Sequence, residues 1–444
     1  MASDGGLNDR PGRPGGLLRA LQRLAIDIGP LRDSREYRYL YIGQLISMIG
    51  RQITVVAVPY QVYVLTRSSV AVGLLGLAQL IPYVIFSLVA GTLADRIDRR
   101  RLLLVTQVLL ALTSALFVLG ALHGRPPILF IYLVAAAAAG ISAIDQPARS
   151  AMIPNLVSRT QLPMAISLNF ALFQIGVIAG PAIGGLVIAR VGLPEAYGID
   201  VATFGAAIVA VFLLSPQVPA GRRPESPVAA LLAGFDFLRR VPVLLGELAI
   251  DLDAMILSLP RAAFPALALS VFHAGPAGLG LLYAAPGVGA VAGSLLSGFM
   301  RSVRHHGRVV IFSVATWGAA ITLFGLATIS IWIGAFFLAV AGAADAISAI
   351  GRSNILQTVT PDRLRGRLNA VHSMVVVGGP YLGDVRAGAV AGATSAEFSV
   401  VLGGLACLVG CVAVAFGFQS LWRYDSSTAH SVDVAEPPSP LSME

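Results

Sequence analysis

The amino-acid sequence predicts an all-α membrane protein of twelve transmembrane helices arranged as two six-helix halves. Three observations lead there. Only 12% of the 444 residues are charged and 56% are hydrophobic, about half the charge complement of a soluble domain. Apolar runs of the ~20 residues needed to cross a bilayer recur along the whole chain. Arginine gathers in alternate connecting segments, and pieces of the first half reappear roughly 200 residues later, as parallel internal repeats do.

Taken in order, residues 1–37 form an arginine-rich N-terminal tail without a signal-peptide core, broken by Pro11, Pro14 and Pro30. Within it Leu17, Leu18, Leu21, Leu24 and Ile28 share one helical face, apart from Arg19 and Arg23. The stretch reads either as an amphipathic segment on the inner membrane surface or as a disordered tail. The first half, 38–215, holds spans at 38–66, 70–94, 101–122, 128–151, 163–189 and 196–215. A segment rich in proline, arginine and glutamate, 216–240, reads as the cytoplasmic linker. The second half, 241–422, holds spans at 241–271, 276–300, 307–328, 330–351, 366–391 and 396–421. Residues 423–444, with Pro437, Pro438 and Pro440, read as a disordered cytoplasmic tail.

All 31 basic residues are arginine. With both termini in the cytoplasm, 25 of them fall on the cytoplasmic side; Arg67, Arg125 and Arg190 fall outside, and Arg51, Arg261 and Arg386 within spans. The positive-inside rule therefore sets the orientation and accounts for the net charge of +8 without a nucleic-acid partner. The absence of lysine removes P-loop nucleotide hydrolysis and Schiff-base chemistry from this chain. Uphill transport would have to draw on an ion gradient or a separate ATPase subunit. Cys407 and Cys411 read as small buried hydrophobes, and the six histidines form no H-x-x-x-H pair. No metal and no cofactor are expected.

The sharpest motif joins spans 2 and 3: Gly91, Asp95, Arg96, Arg99, Arg100 and Arg101 in eleven residues. Asp95 ends span 2, where its own helix dipole is unfavourable, so it needs an external partner. In span 5, Gly176, Gly180, Pro181, Gly184 and Gly185 place small residues at four-residue spacing, which lets helices approach closely, while the proline bends its helix. Gly379, Pro380 and Gly383 repeat part of that pattern in span 11. The first motif resembles the loop motif of the major facilitator superfamily, and the second the glycine–proline motif of its drug:proton antiporters. Gly43–Gln44, Val58–Val62, Leu65–Ser69, Leu231–Phe235, Gly280–Ala285 and Leu364–Arg367 extend the resemblance. Together they resemble the branch that holds the enterobactin exporter and the macrolide and multidrug efflux carriers. The resemblance implies the major facilitator fold and a conformational latch from Gly91, Asp95, Arg96, Arg99 and Arg100, with Asp95 facing the start of span 11 near Gly366. One departure stands out: many drug antiporters carry a mid-membrane arginine in span 4, whereas Arg149 lies near that span's inner end.

Charges inside a membrane span are costly and mark pathways. At about 1.5 Å per residue, Arg51, Asp251, Asp253 and Asp345 fall roughly midway through a ~30 Å core. Asp145 falls in the inner third, Asp384 in the outer third, and Asp200 at the outer start of span 6; Asp236, Glu247 and Glu397 fall near interfaces and carry no role. The resemblance implies that spans 1, 4, 7 and 10 line a central cavity, which makes Arg51, Asp145, Asp251, Asp253 and Asp345 the substrate or proton pathway. Arg51 is expected to pair with a span 7 acid in one access state, or else to hold the halves together as a static ion pair. Only one of Asp251 and Asp253 faces the cavity, being two residues apart on a helix.

These expectations describe a monomeric carrier in the inner (plasma) membrane, exporting a small organic molecule, siderophore-type or a related secreted metabolite, by proton antiport. Its partners are that substrate, protons and the lipid bilayer. Multidrug or macrolide efflux is the alternative, and a non-transporting sensor on a carrier fold the second. No nucleophile–base pair or metal set suggests an enzyme.

Overall fold

The computed structural model describes residues 28–218 and 227–426. The amphipathic and disordered readings of residues 1–27 and 427–444 lie outside the described residues, as does 219–226 of the linker.

The described residues form helices and turns, with no strand among them. The first six long helices are α1 (Arg35–Thr66), α2 (Ser69–Arg96), α3 (Arg99–Leu122), α4 (Ile128–Leu156), α5 (Leu162–Arg190) and α6 (Leu193–Phe212). Then come α7 (Pro242–Leu252), α8 (Gly275–Leu296), α9 (His306–Leu326), α10 (Ile331–Val359), α11 (Asp362–Ala393) and α12 (Ala396–Gly417). Among the described residues, eleven helices are long and apolar enough to cross a membrane, α7 being counted with its continuation to Val271. The one expected span not among them, the eleventh, is α11, a 32-residue helix whose apolar run is interrupted by His372, Asp384 and Arg386. It packs along α2 and against the segment following α7, inside the bundle.

Helix starts follow local chemistry. Ser34 Oγ accepts from the Tyr37 amide at 3.1 Å, Ser68 Oγ from Ala71 at 3.3 Å and Ser395 Oγ from Phe398 at 3.2 Å, filling donors that a helix leaves open. Large apolar side chains such as Ile81, Leu112, Val209, Phe336 and Val409 stay exposed on the outside of the bundle. That surface suits lipid and not water.

Packing falls into two sets. Helix α1 lies against α5 and α6, α2 against α4, and α3 against α4 and α6; in the second set α8 and α9 lie against α10, and α9 against α12. The sets meet along two equivalent seams, α2 with α11 and α5 with α8. Both seams are tightest at one end of the bundle, the arginine-poor end. A Cβ built on Gly73 would lie 3.0 Å from the Gly388 Cα, and one on Gly280 would lie 2.9 Å from the Gly185 Cα. The Tyr63 hydroxyl and Ser270 Oγ, 3.0 Å apart, add a polar contact between the sets there. Toward the arginine-rich end the sets separate, and nothing approaches within 4 Å of a Cβ built at Gly91 on α2 or Gly366 on α11.

Two elements differ from expectation. The 216–240 segment contains a helix, Pro227–Arg240, which packs on α11 and α2. Gly234, Phe237 and Leu238 are buried among its described residues, while Asp236 and Arg240 pair at 2.7 Å on its exposed face. The seventh span is not one helix. After Leu252 the chain forms a π-helical turn, Asp253–Ser258, leaves helical geometry at Leu259 (ψ 119°), and resumes in short helical turns from Arg261 to Val271. Pro260 supplies no amide to continue the ladder, which is the physical reason for the break.

Candidate functional site: the interhelical cavity and its charge clusters

Between the two sets lies a cavity of about 260 Å³ lined by Arg51, Tyr83, Asp200, Arg261, Tyr381 and Asp384, among others. Tyr83, Gln146 and Val377 also line a second cavity of about 610 Å³, bordered by Gly91, Ser150 and His372, which forms a vestibule toward the arginine-rich end. Arg51 makes no hydrogen bond or ion pair among the described residues. It therefore does not pair with Asp251 or Asp253 in this state. The other two intramembrane arginines are engaged. Arg261 donates to Asp384 at 2.7 Å. Arg386 donates to the carbonyls of Ile256 (3.3 Å), Leu259 (3.5 Å) and Ser399 (3.0 Å), the first two beside the break in the seventh span.

The partner of Asp251 is Arg352, Nη1 to Oδ1 at 2.8 Å. Sequence depth placed Arg352 in a cytoplasmic loop, because the apolar run of span 10 stops near Ile350; α10 continues to Val359 and carries Arg352 into the bundle, 5% exposed. Around it gather Asp345 at 3.8 Å, Glu247 at 4.0 Å and Ser348 Oγ at 3.2 Å. His372 Nδ1 stands 3.6 Å from Glu247 Oε1. Glu247, which the sequence left at an interface, is 2% exposed. Helices α7, α10 and α11 thus converge on one cluster, with Asp251 and Asp345 inside it.

Asp253 points elsewhere. Its Oδ2 lies 3.8 Å from Cys411 Sγ, and the carboxyl and the two thiols of Cys407 and Cys411 lie within 4.8 Å of one another. The cysteines are buried as expected, yet they neighbour an acid instead of only apolar groups. Three donors are one short of the four that close a structural zinc site, and no metal role is assigned.

Asp145 is buried in the first set, bonded by Arg149 (2.7 Å), Thr106 (2.7 Å) and Gln107 (2.7 Å). Its charge is matched within α3 and α4. Asp200 sits two turns inside α6, not at its start, because that helix begins at Leu193. Thr54 and Ser114 donate to its Oδ2 at 2.6 and 2.7 Å, and its Oδ1 has no partner among the described residues.

The loop motif divides by residue. Asp95 and Arg96 are exposed and make no hydrogen bond or ion pair among the described residues. Arg99 donates to the Ala151 carbonyl at 2.8 Å; Arg100 donates to the Phe212 carbonyl at 2.6 Å and stacks on the Phe212 ring at 5.4 Å. Arg100 closes the carbonyl end of α6, where a helix C-terminus attracts cations, and Arg99 holds a carbonyl near the end of α4 in the same half. They are anchors in this state, whereas Asp95 and Arg96 are unengaged. In the glycine motif, Gly176, Gly180 and Gly184 face Met48, Gln52 and Ile53 of α1, while Gly185 meets Gly280 of α8; Pro181 is buried and presents its carbonyl to Gly280.

A membrane-spanning helical bundle with two repeated seams, and a cavity between the halves, defines a transporter of the major facilitator fold. The transmembrane secretion effector family model matches residues 26–443, and the chain belongs to that family. It is 30% identical over 394 residues to the enterobactin exporter EntS of Citrobacter koseri, covering 86% of this chain and 94% of the relative. It is 31% identical over 398 residues to EntS of Salmonella typhi, covering 87% and 95%. Solved structures of similar fold include the nucleoside transporter NupG (TM-score 0.68, 14% identity, 88% of this chain and 100% of that one). A D-xylose-proton symporter is another (TM-score 0.66, 14% identity, 89% and 99%). The family is one of multi-pass membrane transporters, not an enzyme class.

Proposed function

We propose that this carrier exports an anionic, siderophore-type organic molecule across the inner membrane in exchange for protons, working as a monomer with both termini in the cytoplasm. The orientation rests on the arginine distribution, so the vestibule faces the cytoplasm and the arginine-poor seams close the far side. Arg51 carries the substrate reading. A cation in the cavity that makes no direct ion pair among the described residues, although Asp200 lines the same cavity, leaves its guanidinium open to an anion in a medium of low dielectric. Tyr83 and Tyr381, with ring centroids 6.1 Å apart, offer flat faces to an aromatic group beside it. The enterobactin exporters to which the chain is similar make a catecholate siderophore the first compound to try.

Binding of enterobactin to the purified protein, followed by quenching of tryptophan fluorescence, tests this. Arg51→Gln should weaken binding about tenfold or more, the worth of one charged hydrogen bond, without lowering thermal stability. Equal affinity in Arg51→Gln, or tight binding only of cationic drugs or macrolides, would replace this reading with drug efflux.

A further inference from the structure

The cluster of Glu247, Asp251, Asp345 and Arg352 holds three carboxyl groups around one guanidinium. Arg352 balances one carboxylate, and excess negative charge is costly at this depth unless protons fill it. Four buried atoms of the site, Glu247 Oε1, Asp251 Oδ2, Arg352 Nε and His372 Nδ1, have no hydrogen-bond partner among the described residues. They are close to bonding: Glu247 Oε1 is 3.6 Å from His372 Nδ1 and 4.0 Å from Arg352 Nε, just beyond hydrogen-bond length. Access is uneven. Glu247 and Asp251 are 2% and 1% exposed, whereas the His372 side chain is 26% exposed and lines the vestibule. Glu247 of α7 stands beside the imidazole, with Arg352 and Asp345 of α10 and Asp251 of α7 in the same cluster behind it; across the vestibule Tyr83 is the other titratable group among the described lining residues.

We infer that His372 carries protons between Glu247 and the vestibule, making this cluster the proton-binding site of the transport cycle. The inference rests on the antiport reading above. In the present state the Glu247 O–H bond breaks as an N–H bond forms at His372 Nδ1. The ring then gives the proton on Nε2 to a vestibule water, leaving a hydronium ion, a neutral imidazole and a Glu247 carboxylate beside Arg352. Loss of the Nδ1 proton and uptake of one at Nε2, both exchanged with vestibule water, restore the starting tautomer.

The test follows the infrared C=O stretch of protonated carboxyl groups in the purified full chain after a pH jump, with no substrate and no gradient. Glu247→Gln should shrink the responding band. His372→Gln should leave its amplitude but slow its exchange roughly tenfold or more, as loss of a positioned proton carrier does. Added imidazole should restore the rate in His372→Ala, which a purely structural role for the ring would not allow. Wild-type exchange rates in both His372 variants would overturn the inference and route the proton through Asp345, whose side chain is 38% exposed. A band unchanged in Glu247→Gln would overturn it too. An uncoupled carrier would still show the relay, so failure of antiport is read separately, in vesicle transport.

Discussion

Arg352 decides the chemistry of the second half, and its role follows from one contact. Its 2.8 Å pair with Asp251 sits where both side chains are almost sealed from water. Removing one partner of such a pair leaves an uncompensated buried charge, at about 3–5 kcal/mol. Arg352→Gln should therefore lower the thermal midpoint in detergent sharply, and adding Asp251→Asn should recover part of the loss. An unchanged midpoint in Arg352→Gln would show that the pair is not held in solution. Sequence reading reached Asp251 and Asp345 by depth but not Arg352, Glu247 or His372. Depth was measured from the apolar run, and α10 outlasts its apolar run by two turns. A signal was available: Asp345, Ser348 and Arg352 stand at i, i+3 and i+7, one helical face. Asp200 was misplaced for the mirror reason, since α6 starts at Leu193, before its apolar run.

At the scale of elements, the broken seventh span and the arginine that closes it form a unit. Arg386 reaches three carbonyls, two of them beside the break. Leaving a buried carbonyl unsatisfied costs about 1–3 kcal/mol. Arg386→Met should thus destabilise the protein by at least that much and speed hydrogen exchange at residues 253–263, as mass spectrometry can resolve. Exchange raised evenly over the whole chain would instead mean that Arg386 does not act on the break. The sequence reading took 241–271 as one span and passed over Pro260, a signal of the break; the π-helical turn before it had no signal, because no residue type announces one. The loop motif divides in the same manner. Its spacing was legible, but not that Arg99 and Arg100 hold carbonyls of α4 and α6 while Asp95 and Arg96 wait. Arg100→Ala should lower thermal stability, and Asp95→Asn should leave it unchanged while reducing transport. A stability loss in Asp95→Asn would place its contacts in the present state.

At the scale of the whole molecule, the two seams are what a rocking carrier must open. Their glycines leave room for no side chain: a Cβ at Gly388 would lie 2.7 Å from the Gly73 Cα. Overpacking of this kind costs about 1–3 kcal/mol, enough to shift a balance between access states. Gly388→Leu should lengthen the distance between spin labels at positions 67 and 394, at the arginine-poor end, and an unmoved distribution would mean that the seam is not the closing contact. Eleven of the twelve expected spans were legible because bilayer thickness writes them into composition. Which charges meet was not, since that depends on helix ends and on faces set by packing.

Proton-coupled export is the central claim, and inside-out vesicles with an imposed proton gradient test it most directly. Fluorescence of an internal pH dye is followed as enterobactin is added, with wild type beside Glu247→Gln/Asp251→Asn. The account predicts substrate-triggered proton efflux with the wild-type carrier and none with the double variant. Substrate accumulation without proton movement, or equal proton movement in both proteins, would contradict it.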